Sequence, residues 1–225
     1  MRIYAVADIH ARPERMERIL LNIRRYQPDV LVVAGDITAF FHPAKLLHRL
    51  NRLPVPVLLV RGNSDLKRVD RLAGFFGNIS SLHLRRVRVG KTVFSGISGT
   101  LPLPFRTRLG LREARLVQEA GRLVDKDSVL VVHPPPYGVL DRVMGRVSAG
   151  SRAVAELISD RQPRLVLCGH IHEAYGKARL GRTWIVNCNV SGRRQGAMVD
   201  LAEASPPGIW MLPPGARPPS LQTGA

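Results

Sequence analysis

The chain has 225 residues and a formal net charge of +17, from 34 Lys and Arg against 17 Asp and Glu. That length holds one sizeable core, and 45% hydrophobic residues describe a globular chain. No stretch approaches the roughly 18 consecutive apolar residues of a membrane span, and the aromatic residues, at 5%, do not interleave with the basic clusters to form a stacking platform for single strands.

The first apolar stretch is broken at Asp8, too soon for a signal peptide, so a cytoplasmic location is expected. Two cysteines, Cys168 and Cys188, suggest no disulfide framework; both end apolar runs, where a buried, inert thiol is expected. The positive field favours anionic partners, whether small phosphoesters, nucleotides or nucleic acid. The plain alternative is a solvated basic surface.

In chain order, residues 2–7 (RIYAVA) read as a buried strand. Pro13 then opens a helix with Met16, Ile19, Leu20 and Ile23 on one stripe. A second strand follows at DVLVVAG, a helix at HPAKLLHRLNRL and a third strand at VPVLLVRG. DLKRVDRLAGFFG suits a helix capped by Asp65 and stopped near Gly77. Residues 80–99 look like β structure with turns at Gly90 and Gly96. LREARLVQEAGRLV is helical, SVLVVH a strand, SRAVAELISDRQ helical and RLVLCGH a strand. YGKARL, TWIVNCN and GAMVDL are short strands spaced like hairpins. The tail is dense in proline and carries one apolar patch, GIWML. The first half alternates β and α, which argues for parallel strands with crossover helices, and the end reads as antiparallel β. Two packed mixed sheets with outer helices are predicted, as one domain over residues 1–212, with a flexible tail over 213–225.

Five of the apolar runs end in polar residues: Asp8 and His10; Asp36; Asn63, Ser64 and Asp65; His133; His170 and His172. In α/β sheets, sites form beyond the carboxyl ends of strands. In extended chain, residues two apart project to one side, so Asp8 and His10 reach one point, as do His170 and His172. Glycines at 35, 62 and 169 permit sharp turns and close approach. Two Asp, one Asn and four His form a donor set that suits Mn, Fe, Co, Ni or Zn. Seven side chains exceed one ordinary site and fit two ions sharing a carboxylate. Such ions, roughly 3.5–4 Å apart, clamp the oxygens of a phosphoryl transfer.

DIH at 8–10, GD at 35–36, GNSD at 62–65, a later lone His133 and GHIH at 169–172 resemble, in type and order, the motifs of the calcineurin-like metallophosphoesterases. VRGNSD, HPPPYGVLD and the chain's size are similar to the small bacterial and archaeal phosphodiesterases of that family. The resemblance implies a four-layer α/β/β/α sandwich with two mixed β-sheets. It implies that Asp8, His10 and His172 hold one metal, that Asn63, His133 and His170 hold the other, and that Asp36 and a water bridge them. The bridging water, as hydroxide, would attack phosphorus in line with the departing oxygen. Manganese is the first expectation for the pair, and a small anionic phosphoester for the substrate. Asp36, Asn63 and Asp65 are the catalytic candidates.

One departure stands out. Full-signature members carry a histidine after the motif's asparagine, usually assigned to the transition state or the leaving group; here it is Ser64. A serine hydroxyl is too weak an acid to replace it, so a preference for diesters with good leaving groups is expected. Arg61 either touches a substrate phosphate or caps a surface loop. His42, in the loop after Asp36, is a further substrate-binding candidate. His48 and His83 read as packing or surface residues, and Pro102, Pro104, Pro134 and Pro135 as loop-shaping. The alternatives to a phosphodiesterase are a nuclease acting on DNA or RNA, and a metal-bound scaffold without catalysis.

Overall fold

The computed structural model describes residues 1–38, 43–99, 108–203 and 205–212, with the backbone alone over 108–114. His42, Pro102, Pro104 and the tail over 213–225 lie outside the described residues. One six-stranded sheet is built from β1 (Arg2–Val6), β2 (Val30–Ala34), β3 (Val57–Val60), β4 (Ile79–Ser81), β13 (Ala197–Asp200) and β14 (Gly208–Met211). Its order is β14-β13-β1-β2-β3-β4. β1 to β4 run parallel, and β13 lies antiparallel on β1, with Ile3 opposite Val199.

The second six-stranded sheet contains β5 (Arg86–Val89), β6 (Thr92–Ile97), β7 (Val129–Val132), β10 (Leu165–Cys168), β11 (Gly176–Leu180) and β12 (Thr183–Asn187). Its order is β11-β12-β10-β7-β6-β5, with the two edge strands antiparallel to a parallel centre. A separate hairpin pairs β8 (Arg142–Val143) with β9 (Val147–Ser148). Helices α1 (Pro13–Tyr26), α2 (Pro43–Asn51), α3 (Arg68–Ala73), α4 (Arg108–Gly121) and α5 (Arg152–Arg161) complete the described elements, with a 3-10 turn at His172–Ala174.

The layering follows from the strands' period of two. In β1, Ile3 and Ala5 face the second sheet, while Tyr4 and Val6 face the helices. Both faces are apolar, so both must be covered. Ile3, Val32, Leu58 and Val60 pack against Phe94, Val131, Leu165 and Leu167 in a core between the sheets. Tyr4, Leu31 and Leu59 pack beneath Met16, Ile19, Leu47 and Leu50 of α1 and α2. Leu130, Val132 and Val166 pack beneath Val117 of α4 and Val154 and Ile158 of α5. Three apolar clusters separate four layers, helix–sheet–sheet–helix.

Two expectations need correcting. Helix α3 begins at Arg68 with Lys67 at its N-cap, not at Asp65, whose carboxylate is committed elsewhere. Gly96 is no turn: it lies inside β6, opposite Val131. The apolar patch GIWML takes its place in the first sheet, where Gly208–Met211 forms edge strand β14 on β13.

Leu167 is fully buried in the core between the sheets. Leu167→Ala should cost about 2–5 kcal/mol of unfolding free energy, from lost transfer energy and the cavity left behind. Urea unfolding followed by far-UV circular dichroism measures it.

Candidate metal centre

Five strands deliver polar residues to one rim, three from the first sheet (β1, β2, β3) and two from the second (β7, β10). The ladders run on past the strands and fix the loops. Asp8 N–H donates to Gly35 O at 3.0 Å and His10 N–H to Asp36 O at 2.9 Å; on the other sheet, Gly169 N–H donates to His133 O at 2.9 Å. The seven residues singled out from the strand ends, Asp8, His10, Asp36, Asn63, His133, His170 and His172, meet where the sheets face each other.

Their convergence does not come from extended chain. Asp8, His10, Asp36 and His170 take left-handed φ values of 61°, 51°, 49° and 68°. Such values are uncommon outside glycine and cost backbone strain, which packed surroundings must hold in place. The two-residue spacing brings each pair together by sharp turns, not by strand alternation.

Asp36 is the hub. Its Oδ2 lies 3.6 Å from His10 Nε2 and 3.4 Å from His133 Nε2. Ser64 holds it from behind, the backbone N–H donating to Oδ1 at 2.8 Å and the hydroxyl to Oδ2 at 2.9 Å. A Cβ at Gly62 would stand 2.1 Å from Asp36 Oδ1, so only glycine lets the third loop pass so close. Gly35, at φ 93°, leaves room for His133: a Cβ there would meet Nδ1 at 2.5 Å. The close approaches are to the ligand candidates themselves.

Asp8 is wholly buried and His172 Nε2 lies 3.3 Å from its Oδ1, with His10 Nε2 at 3.9 Å. Asp8 Oδ2 accepts from His170 N–H at 3.1 Å, yet Oδ1 is buried with no hydrogen-bond donor. A buried carboxylate oxygen left without a donor, facing imidazole nitrogens, fits a cation. The ligand atoms of Asp8, His10 and His172 lie within 4.8 Å of one another, as do those of Asp8, Asp36 and His133. Asp8 thus belongs to both clusters. Asn63 Oδ1 lies 3.0 Å from His133 Nε2, and the His170 ring stands edge-on to His133 with centroids 5.0 Å apart. His133 Nδ1 lies 2.9 Å from the Ala34 carbonyl and must donate to it, which directs Nε2 toward Asp36.

The titrations reflect this geometry. Burial raises the Asp36 carboxyl, but the hydrogen bond and charge of His133, the Ser64 N–H and the charge of His10 together hold it well below the usual carboxylate range. Burial lowers His133, and Asp36 outweighs it, pushing the imidazole up to about 9. His170, lowered by burial and by the charge of His133, falls to about 4. His172 is raised by its contact with Asp8.

The remaining candidates have other duties. Asp65 Oδ2 accepts from the N–H groups of Ile37 and Gly62, and Oδ1 from the N–H and hydroxyl of Thr38. Its four lone-pair sites are filled, so it ties two loops together instead of acting on substrate. The Ser64 hydroxyl is turned inward to Asp36, away from a role on the leaving group. Arg61 caps no surface loop. It is buried and pairs through Nε with Asp70, which also accepts from Ser81 at 2.8 Å and from Ser98 at 3.2 Å. His48 packs edge-on against Phe76, and His83 Nδ1 accepts from Ser98 N–H at 3.1 Å.

Sequence reasoning passed over Asn187 and Asn189, both fully buried. Asn187 Nδ2 donates to Ile171 O at 2.8 Å, and Asn189 Nδ2 to His172 O at 3.3 Å, fixing the backbone of the fifth motif. The signal was available: polar residues at both ends of NCN, just after an apolar run.

Residues 1–174 match the family model described as calcineurin-like phosphoesterase. The chain belongs to that family, whose members are phosphoester hydrolases. It is 32% identical over 198 residues to an uncharacterized protein of Methanocaldococcus jannaschii, covering 83% of this chain and 87% of that one. It is 28% identical over 187 residues to a probable cyclic nucleotide phosphodiesterase of Synechococcus sp., covering 77% of this chain and 69% of that one. A solved Thermus thermophilus protein shares the fold, with a TM-score of 0.72 at 17% identity over 93% of this chain and 98% of that chain.

Two outcomes are expected from the geometry. Asp65→Asn would set an amide N–H against donors, so it should cost about 1–3 kcal/mol in urea unfolding. The second concerns pH. His133 is raised from 6.5 to about 9, so in chelator-treated protein its stabilisation is full below pH 6.5 and is lost as pH rises through 9. His172, also raised, acts with the same sign; His170, lowered, changes its contribution only below 6.5. The melting temperature of chelated protein should therefore fall between pH 6.5 and 9. A metal needs the unprotonated Nε2, so loading near pH 7.5 should release a proton. Calorimetry in buffers of different ionisation enthalpy reads the release; none detected, with a flat melting profile, contradicts the Asp36–His133 pairing.

Proposed function

We propose that the chain is a dinuclear-metal-dependent phosphodiesterase acting on small anionic phosphodiesters. The observation that carries the reading is Asp36 Oδ2 lying between His10 Nε2 and His133 Nε2, at 3.6 Å and 3.4 Å, where one carboxylate can serve two ions. Asp8, His10 and His172 would hold one ion; Asn63, His133 and His170 the other. The mixed oxygen and nitrogen donors suit first-row divalent ions, manganese first. Bound there, the pair would supply Lewis acidity and a water acidic enough to attack phosphorus.

The chain's own residues prepare the centre. His170, with its imidazole lowered to about 4, is neutral at working pH and keeps a lone pair free. His133 presents Nε2 because Nδ1–H is committed to Ala34. Ser64 and Gly62 hold Asp36 in place. No side chain among the described residues is assigned as an acid for the departing oxygen, since Ser64 donates inward. A diester carries less charge than a monoester and depends more on nucleophilic push, which favours diesters. The Synechococcus relative's description supports the same reading.

The test is an assay of manganese-loaded protein on aryl diesters and the matching monoesters. Diesters should be cleaved faster, with rates that fall steeply as the leaving phenol becomes less acidic. Asp36→Asn should abolish turnover and lower the bound metal per chain. Fast monoester cleavage with a shallow leaving-group slope counts against the reading. The net charge of +17 keeps one second reading, a nuclease. It requires duplex DNA to be bound with an affinity that falls steeply with salt, and to be cut.

A further inference from the structure

The segment between metal-ligand candidate His133 and α5 is not a plain connection. Its base is closed by backbone pairs: Ser151 N–H donates to Pro135 O at 2.9 Å and Tyr137 N–H to Ser151 O at 3.0 Å. The buried Asp141 carboxylate accepts from Gly138 N–H at 2.9 Å and Gly150 N–H at 3.2 Å, and Asp141 O accepts from Ala149 N–H at 2.9 Å. On this base stands the β8–β9 hairpin. Strand β8 packs against the turn His172–Ala174, which carries another ligand candidate. Leu140, just before β8, lies beside Gly176, just after that turn. The hairpin is therefore held beside the turn that carries His172.

Its outer surface is unusual in content. Met144 is 83% exposed and Val147 63% exposed. Met144 and Gly145 form the tip with φ values of 50° and 68°, closed by Arg146 N–H donating to Val143 O at 3.1 Å. Turns of this hand favour Asn, Asp or Gly at both positions. A methionine there accepts backbone strain and offers its thioether to solvent. Arg142 and Arg146 flank it, and at the base the Arg152 guanidinium covers the Tyr137 ring at 3.9 Å.

We propose that the β8–β9 hairpin is the specificity element of this site, receiving a flat aromatic group that remains esterified to phosphorus. The inference rests on the phosphodiesterase reading and names the substrate class within it: diesters with one aromatic-bearing ester arm. Thioether sulfur and guanidinium both favour aromatic rings over saturated chains. The cationic flanks suit the phosphate's charge, and the apolar tip suits the ring.

The test keeps the leaving group constant and varies the arm that stays. Manganese-loaded full-length protein is assayed on phenyl p-nitrophenyl phosphate and methyl p-nitrophenyl phosphate. Native protein should favour the phenyl ester by about tenfold in kcat/KM, chiefly through KM, the size expected for covering one ring. In M144S/V147S, at two exposed positions, the ratio should fall to within about twofold of one, and Met144→Leu should keep part of the preference. If both esters are cleaved with the same ratio in native protein and M144S/V147S, the hairpin is not the specificity element and the diesterase reading stands. If neither ester is cleaved, the diesterase reading falls and this inference falls with it.

Discussion

Two carboxylates are buried side by side at the seam between the sheets, and much of the local structure answers to that. Asp8 is fully buried and Asp36 nearly so. An isolated buried carboxylate would take up a proton or force the site open. Here each has partners: His170 N–H and His172 for Asp8, and Ser64, His10 and His133 for Asp36. Oδ1 of Asp8 is the exception, and it is the atom that faces two imidazoles. Left without a hydrogen-bond donor, that oxygen gives the group the electrostatic character of a site that could hold a cation.

That constraint explains why the site needs both sheets. One sheet supplies the carboxylates and Asn63; the other supplies His133, His170 and His172. His10 is the imidazole that joins the first group. The apolar core between the sheets thus sets the distance between ligand sets, as well as holding the fold together. It also bears the strain: four of the seven ligand candidates sit in left-handed backbone, each of a kind that costs about 1–3 kcal/mol. Close-packed interiors resist the relaxation that would release it. The buried Asn187, Asn189 and Asp65 reinforce the same loops with hydrogen bonds, so the stiffness lies in the backbone as much as in the side chains.

The sequence revealed the site's composition and concealed its manner of assembly. Apolar runs ending in Asp, Asn or His at five places are legible because burial makes the runs and the strand end exposes the next residues. The four layers are legible because strands apolar on both faces demand two coverings. Asp65 looked catalytic and looked like a helix cap; which backbone donors a carboxylate meets depends on loops that close in three dimensions. Left-handed φ at Asp8, His10, Asp36 and His170 has only a weak residue-type signature, since Asp and His adopt it more often than most residues but do not announce it as glycine does. Strand β14 was hidden by flanking prolines, which usually mark irregular chain but are tolerated beside an edge strand. The β8–β9 hairpin was hidden because its strands are two residues each and its turn carries Met in place of Asn.

Ser64 shows how a single departure redistributes work within a shared frame. A histidine at that position has no hydroxyl to set against Asp36 Oδ2, as Ser64 does at 2.9 Å. The backbone N–H of the third motif's loop already reaches Oδ1, and the serine hydroxyl adds a second donor, so one residue holds both oxygens. That arrangement favours the ionised form and fixes its orientation. A wall that would receive the ester arm, as proposed for the β8–β9 hairpin, is consistent with a centre that lacks an imidazole at this position. On the proposed reading, the missing acid at the leaving oxygen and a surface for the retained arm would be two sides of one arrangement, in which substrate orientation carries more of the rate and proton donation less.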